Sequence, residues 1–411
     1  MSVAERPAPP PEFNPVSEAS FRDPASICQR AREEVPVFFY PPLGVWIVTR
    51  HEDVELILTE WTTFSSAANS PEVPAEFRDR FPSSIMADSI VAIDPPRHTE
   101  ARNVIQRGFA KPKIDPLEAV IEARAHEIID GFANNGTAEI MNTYCLELTT
   151  RTLMALFDLP IEDRKFFEQL RDDSIRILAS SYEPMQEPEK SQIWDRYITG
   201  HEYFRRLVDE RRNSDAKDIV STMASAVDSK GAPALSAERI ALHLVEIAFA
   251  GTDTTAQMMA NAIIFLNEHP EALAAAKADP ALWSRVFEET IRRRPSAPFA
   301  GRVTTKDVEM QGITIPAGEP IWTSLVAANT DPRHHKCPMH FDIHRDVPQD
   351  HLSFTKGRHT CPGAPLARLQ GAVGLRVLFE RIPNLRVVPD QPLDFAPLAM
   401  LPVRLSMQVT W

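Results

Sequence analysis

The sequence is poor in the features that mark membrane and secreted proteins. It has no run of about twenty apolar residues, and its proline-rich start lacks the basic and apolar regions of a signal peptide. Its four cysteines lie far apart, which suits a reducing compartment better than a disulfide framework. The net charge of −13 argues against a nucleic-acid partner. We therefore expect a soluble, cytoplasmic protein that binds neither membranes nor nucleic acids.

The chain also lacks internal repeats and low-complexity linkers. Its 411 residues would fit either several domains or one large domain, and 43% of them are hydrophobic, which is enough for a sizeable core. We predict a flexible, proline-rich tail over residues 1–20, a single domain over residues 21–411, and a monomer.

The most informative segment runs from Phe354 to Gly363 and has the sequence Phe-Thr-Lys-Gly-Arg-His-Thr-Cys-Pro-Gly. Its glycines permit tight turns, so backbone amides can point at the sulfur of Cys361 and stabilise a thiolate. The residues from Ala364 to Arg376 predict a helix whose positive N-terminal end lies at this cysteine. Such a thiolate is suited to ligate haem iron, although an isolated cysteine is more often an inert apolar residue.

A competing interpretation of this region is a zinc site, because histidines and cysteines crowd into residues 334–361. The segment contains no Cys-x-x-Cys pair, and only His340 and His344 keep a His-x-x-x-His spacing. A zinc site formed by His334, Cys337, His340 and His344 stays open as an alternative. The simpler interpretation is a group of solvated loop histidines.

A very long helix is predicted from an N-cap at Ser236 to Asn267, and a helix of this length is expected to cross the interior. Its middle, residues 250–255, has the sequence Ala-Gly-Thr-Asp-Thr-Thr, which is a poor helix former with hydroxyls that can bond to the backbone. We expect a local widening there that could admit water or dioxygen, or else only a weak turn.

Two polar residues, His243 and Glu246, interrupt the apolar first half of the long helix. A carboxylate is costly to bury unless it has a partner. Glu246 therefore predicts either a structural pairing or contact with a polar group of a substrate.

The loop at Cys361 resembles the ligand loop of the cytochrome P450 family of haem-thiolate monooxygenases. The matching residues are Phe354, Gly357, His359, Cys361 and Gly363. Thr355 is a departure, because many bacterial members have glycine there. The resemblance implies that Cys361 binds the iron and that Phe354, His359 and Gly363 belong to the haem site.

Further motifs are similar to those of the same family. Residues 250–254 resemble its oxygen-activation motif, which implies that Gly251 lies at the groove while Asp253 and Thr254 manage protons. His98 and Arg102, spaced one helical turn apart, together with Arg302 and His359, match positions that bind haem propionates. The resemblance also implies a structural triad, formed by Glu289, Arg292 and Arg345.

The family's fold is mainly α with a small β region, a long central helix and b-type haem. This agrees with strands predicted from the sequence alone at 35–40, 45–49, 308–310, 313–315 and 403–409. The implied function is insertion of one oxygen atom of O2 into a small apolar molecule, by hydroxylation or oxidative O-demethylation. A peroxide-driven peroxygenase and a haem-based sensor remain the alternatives.

The resemblance also implies partners and a substrate pocket. We expect electrons from NAD(P)H to arrive through a separate ferredoxin or flavodoxin and its reductase, which would dock near Arg107, Lys356 and Arg358. The substrate would be aromatic, terpenoid or steroid-like. The expected pocket residues are Glu246, Phe249, Ala250, Pro298, Phe299, Leu398 and Met400.

Overall fold

The computed structural model describes residues 6–67, 72–180, 184–396 and 399–411, and helices dominate this part of the chain. None of the described helices is both long and apolar enough to cross a bilayer. The α-helices are α1 (Glu18–Arg22), α2 (Ser26–Glu34), α3 (His51–Thr59), α4 (Ser83–Met86), α5 (Arg97–Gly108), α6 (Lys111–Ile114), α7 (Leu117–Asp130), α8 (Glu147–Phe157), α9 (Arg164–Ala179), α10 (Glu189–Arg211), α11 (Ile219–Ala224), α12 (Ala237–Glu268), α13 (Pro270–Ala278), α14 (Leu282–Arg293), α15 (Leu325–Asn329) and α16 (Ala364–Arg381).

Short strands form a small β region. They are β1 (Val37–Tyr40), β2 (Val45–Val48), β3 (Phe64–Ser65), β4 (Thr137–Glu139), β5 (Phe299–Thr304), β6 (Val308–Met310), β7 (Ile313–Ile315), β8 (Pro320–Ser324), β9 (Arg386–Val387), β10 (Phe395–Ala396), β11 (Val403–Arg404) and β12 (Gln408–Thr410). The main sheet has the order β1-β2-β8-β5-β3, in which only β2 and β8 pair in parallel among the described strands. The predicted class, mainly α with a small β region, is confirmed.

The longest helix, α12, packs against α8, α9, α10, α14 and α16. The side chain of Ser236 caps it by accepting a hydrogen bond from the Arg239 amide at 3.3 Å, as the sequence predicts. The helix stays continuous through residues 250–255, where a widening is predicted. The hydroxyls of Thr252 and Thr254 donate to carbonyl oxygens one turn earlier, so they are satisfied without a break in the helix.

Three predicted boundaries differ from the structure. Asp279 followed by Pro280 predicts a helix with its N-cap at Asp279. Instead, α14 begins at Leu282, because the Asp279 carboxylate accepts a hydrogen bond from the Ala281 amide and forms a turn. α16 continues beyond Arg376 to Arg381, since its last turns still bury apolar side chains. Residues 403–409 are divided between β11 and β12, which pair with different sheets.

Residues 6–20 pack onto the main sheet, which differs from the flexible tail that the proline content predicts for residues 1–20. The Phe39 amide donates to the Pro7 carbonyl oxygen at 3.0 Å. The Phe13 ring is buried edge-on against Phe38 and Tyr40, with centroid distances of 4.9 Å and 5.4 Å. The buried Phe13 ring and the backbone bond to Phe39 therefore hold this segment against β1.

Candidate active site

The loop before α16 places Cys361 at the N-terminal end of that helix. The Cys361 amide donates to the Phe354 carbonyl oxygen at 2.9 Å, which closes the loop. Thr355 and Gly357 take positive φ angles, 57° and 73°. A Cβ on Gly357 would lie 3.0 Å from the Leu58 carbonyl oxygen, so the close approach of this loop to α3 requires glycine.

The surroundings of the Cys361 sulfur have opposing effects on its ionisation. Burial raises the pKa of the thiol from its ordinary value. The amides of Gly363 and Ala364 and the guanidinium groups of Arg102 and Arg368 oppose this rise in pKa. A bound cation would complete the stabilisation, because coordination removes the proton from a thiol.

The four side chains predicted to hold propionates, His98, Arg102, Arg302 and His359, influence one another electrostatically beside this loop. The rings of His98 and His359 lie 4.2 Å apart between centroids. His98 Nε2 and Arg302 Nη2 are buried and have no hydrogen-bond partner among the described residues. Burial lowers the pKa of Arg302 to about 10. Buried donors left without acceptors fit the two carboxylates of haem, so the residues present suit this cofactor.

One stripe of α12 is accessible although the helix runs through the interior. It consists of Glu246, Ile247, Ala250, Gly251 and Thr254, and we call it the open stripe. These residues recur every three or four positions, so they share one face of the helix. Residues on its other faces, such as Ala248 and Thr252, are buried. The open stripe is therefore the face of α12 that solvent or a ligand can reach.

Thr254 and Asp253 lie on different faces of α12. Thr254 is on the open stripe, and its hydroxyl donates to the Ala250 carbonyl oxygen at 2.7 Å. Asp253 is 2% exposed, and its carboxylate lies 3.6 Å from Nε of Arg171 on α9. Burial raises the pKa of Asp253 to about 6, although Arg171 opposes this rise. This carboxyl group can therefore gain or lose a proton near neutral pH.

Gly251 has a packing role besides the groove position that the family motif implies. A Cβ at this position would lie 2.8 Å from Cδ1 of Leu153 on α8. The glycine therefore allows α8 to approach α12 closely.

Glu246 lies at the N-terminal end of the open stripe and has two partners. His243 Nδ1 lies 2.9 Å from one carboxylate oxygen of Glu246, and the Ile90 amide donates to the same oxygen at 3.4 Å. The side chain of Glu246 remains 21% exposed, whereas that of His243 is fully buried. Glu246 therefore has a structural pairing and is also accessible to a substrate, so its two predicted roles do not exclude each other.

The structure brings the predicted triad together. Arg292 donates two hydrogen bonds to Glu289, both at 2.8 Å, and Arg345 Nε lies 3.0 Å from each oxygen of the same carboxylate. Arg292 also donates to the Asn329 carbonyl oxygen at 2.7 Å. The triad thus fixes α14 against the chain that follows α15, which leads to the cysteine loop.

The other predicted pocket residues have different environments. Phe249 is half-buried on α12, whereas Pro298 and Phe299 are buried. Phe299 packs near Trp322 in the apolar core of the sheet. Met400 is half-buried beside the same core, and Leu398 lies outside the described residues.

The structure does not assemble the alternative zinc site. Among the described residues, the one cluster with metal-ligand geometry contains His51, His334 and His335, without Cys337, His340 or His344. Residue spacing within the loop could not indicate this cluster, because His51 lies on α3, far from the loop in sequence.

Comparison with known proteins decides the family. A family model described as Cytochrome P450 matches residues 22–279 and 281–396. The chain belongs to the cytochrome P450 family. It is therefore an oxidoreductase of the monooxygenase type, with haem iron held by a thiolate and O2 as the oxygen source.

Two relatives and one solved structure are similar to this cytochrome P450 over most of its length. Cyclomarin C epoxidase CymV of Salinispora arenicola is 31% identical over 366 residues, which are 89% of this chain and 90% of the relative. Cytochrome P450 monooxygenase PikC of Streptomyces venezuelae is 29% identical over 401 residues, which are 95% and 91% of the two chains. The structure of cytochrome P450 CYP109Q5 from Chondromyces apiculatus superposes with a TM-score of 0.83 at 28% identity, covering 97% of each chain.

Two arginines that form ion pairs in the site of this cytochrome P450 are not predicted from the sequence. Arg171 pairs with Asp253, and Arg368 pairs with Glu288 beside the cysteine loop. No local motif marks Arg171, because it lies on another helix. Arg368 is seven residues after Cys361 in α16, and its position near the N-terminal end of that helix was the available signal.

Thr355 gives a test of the cysteine loop. A β-branched residue with positive φ costs about 1–2 kcal/mol, but the Thr355 hydroxyl donates to the His359 carbonyl oxygen at 2.7 Å. Thr355→Val keeps the branched side chain and loses this bond, so it should destabilise the holoprotein by about 1 kcal/mol. Thr355→Gly removes both the unfavourable φ and the hydrogen bond, so the free energy of unfolding should change little. Urea unfolding of the two variants checks this, and equal destabilisation would contradict the role of the hydroxyl.

Proposed function

We propose that this cytochrome P450 inserts one oxygen atom of O2 into a small, largely apolar molecule, by hydroxylation or oxidative O-demethylation. The observation that carries the proposal is the presence of Cys361, a cluster of buried basic donors and an accessible Thr254 in one fold. Haem, when bound, supplies the oxidising chemistry, since a thiolate ligand favours O–O cleavage.

The proposal assigns the haem-binding roles to specific groups. The Cys361 sulfur would bind the iron, while Phe354 closes the ligand loop through its carbonyl oxygen. A Cβ on Gly363 would lie 3.8 Å from the sulfur, so glycine leaves this side of the ligand open. His98, Arg102, Arg302 and His359 would donate to the propionates.

Thr254 and Asp253 would manage protons. The Thr254 hydroxyl already donates to its own helix, so its oxygen is available to accept a hydrogen bond from water on the open stripe. Asp253 has a pKa of about 6, which suits uptake and release of a proton near neutral pH. Together they would pass protons between solvent and the open stripe.

The open stripe supports a proposal for the substrate. Ile247 and Ala250 give an apolar surface next to Thr254. Glu246 lies eight residues before Thr254, which is about 12 Å along a helix axis. We infer an aromatic, terpenoid or steroid-like substrate whose oxidised end is apolar and whose far end carries a cationic or hydrogen-bond-donating group for Glu246.

Electrons would come from NAD(P)H through a ferredoxin or flavodoxin and its reductase. A cleft of about 620 Å³ opens beside Cys361, and it is lined by Arg102, Asn103, Gln106, Arg107, Phe109, Ala110, Cys361, Pro362 and Pro365. Arg107 is exposed at this cleft, and Lys356 and Arg358 are exposed on the loop that precedes Cys361. An acidic carrier would be attracted to this face, although the protein as a whole is negatively charged.

The proposed function is tested by titrating the purified ferric protein with candidate substrates. The panel pairs aromatic, terpenoid and steroid amines with neutral analogues of the same shape. Substrate binding should give a low-to-high-spin shift in the ferric spectrum, and the dissociation constant from this shift should be lower for the amines by about tenfold or more. Glu246→Gln should abolish the preference for amines and keep the shift with neutral analogues. Protein that takes up no haem would contradict the function, and equal affinities would contradict only the role of Glu246.

The docking proposal predicts a charge effect on reduction. Arg107→Glu should slow reduction by an acidic ferredoxin about tenfold or more at low ionic strength, because the change reverses attraction at the cleft. Stopped-flow absorbance of the reduced carbon monoxide complex measures the rate. Lys306→Glu makes the same charge change in the turn between β5 and β6, so it serves as the control. Equal rates for the two variants would place the docking surface elsewhere.

A further inference from the structure

Three histidines from distant parts of the sequence form a compact cluster outside the haem site. His51 is the first residue of α3, and His334 and His335 lie in the loop after α15. The rings of His51 and His334 are stacked, with centroids 3.5 Å apart and planes inclined by 8°. His335 stands edge-on to both, with centroid distances of 4.7 Å to His334 and 6.0 Å to His51.

The cluster contains polar atoms that the protein itself does not satisfy. His51 and His335 are 5% and 7% exposed. Nε2 of each ring is buried and has no hydrogen-bond partner among the described residues. Buried polar atoms are nearly always satisfied, so two unpartnered nitrogens in one cluster indicate a missing ligand.

The carboxylates around the cluster indicate which nitrogens are available. His334 Nε2 lies 2.9 Å from Asp350 Oδ2, and His51 Nδ1 lies 3.8 Å from Glu55 Oε2. A metal-bound histidine characteristically directs its second nitrogen at a carboxylate, which orients the ring. This arrangement leaves His334 Nδ1, together with Nε2 of His51 and of His335, as the donor set. Imidazole binds metals in its neutral form, which burial favours.

We propose that His51, His334 and His335 bind one divalent transition-metal ion of the Zn²⁺ type. One ring nitrogen of each histidine lies within 4.8 Å of one ring nitrogen of the other two. Nitrogens that share one Zn²⁺ ion at about 2.0–2.1 Å also lie within this distance of one another. Binding requires the His51 and His334 rings to tilt out of their stack, because their lone pairs must converge on one ion. The His334 side chain is 32% exposed and provides the entry path. Water would complete the tetrahedral coordination.

Metal binding at this position would affect the haem site indirectly. The ion would join α3 to the loop after α15. The C-terminal end of α3 contacts the cysteine loop, because the Leu58 carbonyl oxygen lies against Gly357. Glu55, one turn after His51, also pairs with Lys356 of that loop. A ligand that binds only the folded state stabilises it, so Zn²⁺ should raise the melting temperature of the holoprotein.

The site is tested on chelator-treated holoprotein by equilibrium dialysis against Zn²⁺, with zinc and iron measured in the same samples. One zinc per chain is expected in addition to the haem iron. His334→Ala should weaken binding by about tenfold or more, since it removes one of three ligands. His344→Ala lies in the same loop outside the cluster and should bind zinc like the unchanged protein.

Two further measurements separate metal binding from a structural effect. The reduced carbon monoxide spectrum checks that each variant retains its haem site. X-ray absorption at the zinc edge should show imidazole nitrogens at about 2.0–2.1 Å, and His335→Phe provides a second variant that should lose this signal. No bound zinc, or binding that His334→Ala and His335→Phe leave unchanged, would overturn the proposal and leave a packed cluster of neutral histidines.

Discussion

Cys361→His should abolish the thiolate-type band of the reduced carbon monoxide complex and reduce turnover to background. The physical reason is the ligand's charge: a thiolate donates electron density that favours O–O cleavage, whereas imidazole is a neutral ligand. The surrounding loop is also built for sulfur. The amides of Gly363 and Ala364 and two guanidinium groups stabilise negative charge at this atom. Absorption spectra of the purified protein and product assays measure the two effects.

Cys337→His is the matched control for this prediction. Cys337 is exposed and unpaired, and it precedes the ligand loop in the same region of the sequence. Its replacement should leave the thiolate-type band unchanged. A band that survives in Cys361→His, or that disappears in Cys337→His, would show that Cys361 is not the ligand.

Thr254→Ala should uncouple electron consumption from product formation. Its hydroxyl lies on the open stripe and donates to the Ala250 carbonyl oxygen, and general acid–base groups typically contribute a factor of about 10²–10⁴. The ratio of product to NAD(P)H consumed should therefore fall about tenfold or more, with the missing electrons recovered as hydrogen peroxide. Product, NAD(P)H and peroxide are measured in one reaction with a reconstituted electron carrier.

Thr254→Ser keeps the hydroxyl and should keep most of the coupling, which makes it the control. If Thr254→Ala is fully coupled, Thr254 is not part of the proton path.

Asp253→Asn tests the second proton group through pH. Because the carboxyl has a pKa of about 6, it is ionised at pH 7 and becomes protonated as the pH falls through about 6, which removes its ion pair with Arg171. Coupling of the unchanged enzyme should follow this ionisation, and the profile of Asp253→Asn should lack it.

Local signals in the sequence predict a large share of this site. The cap at Ser236, the length of α12 and the helix after Cys361 all follow from residue types at fixed spacings. Glu289 and Arg292 are one turn apart on α14, so their pairing also follows from the sequence. Only the family resemblance connects Arg345 to them.

The missed features depend on contacts between distant segments. Arg171 reaches Asp253 from α9, and His51 reaches His334 from α3, and neither contact leaves a periodic trace in the sequence. Thr355 takes a glycine-like φ because a hydrogen bond within the loop compensates for it.

The Ile90 amide competes with any ligand for one carboxylate oxygen of Glu246. The Ile90 amide and His243 Nδ1 both contact Oε2, so a ligand that takes this oxygen must displace the amide, whereas a ligand that binds Oε1 or lies only along Ile247 and Ala250 leaves it in place. Two ligands with equal affinity would therefore differ in what they do to the segment around Ile90. Amide hydrogen exchange at Ile90 would accelerate for the first and stay unchanged for the second, so the protein carries its own reporter of how a molecule is held.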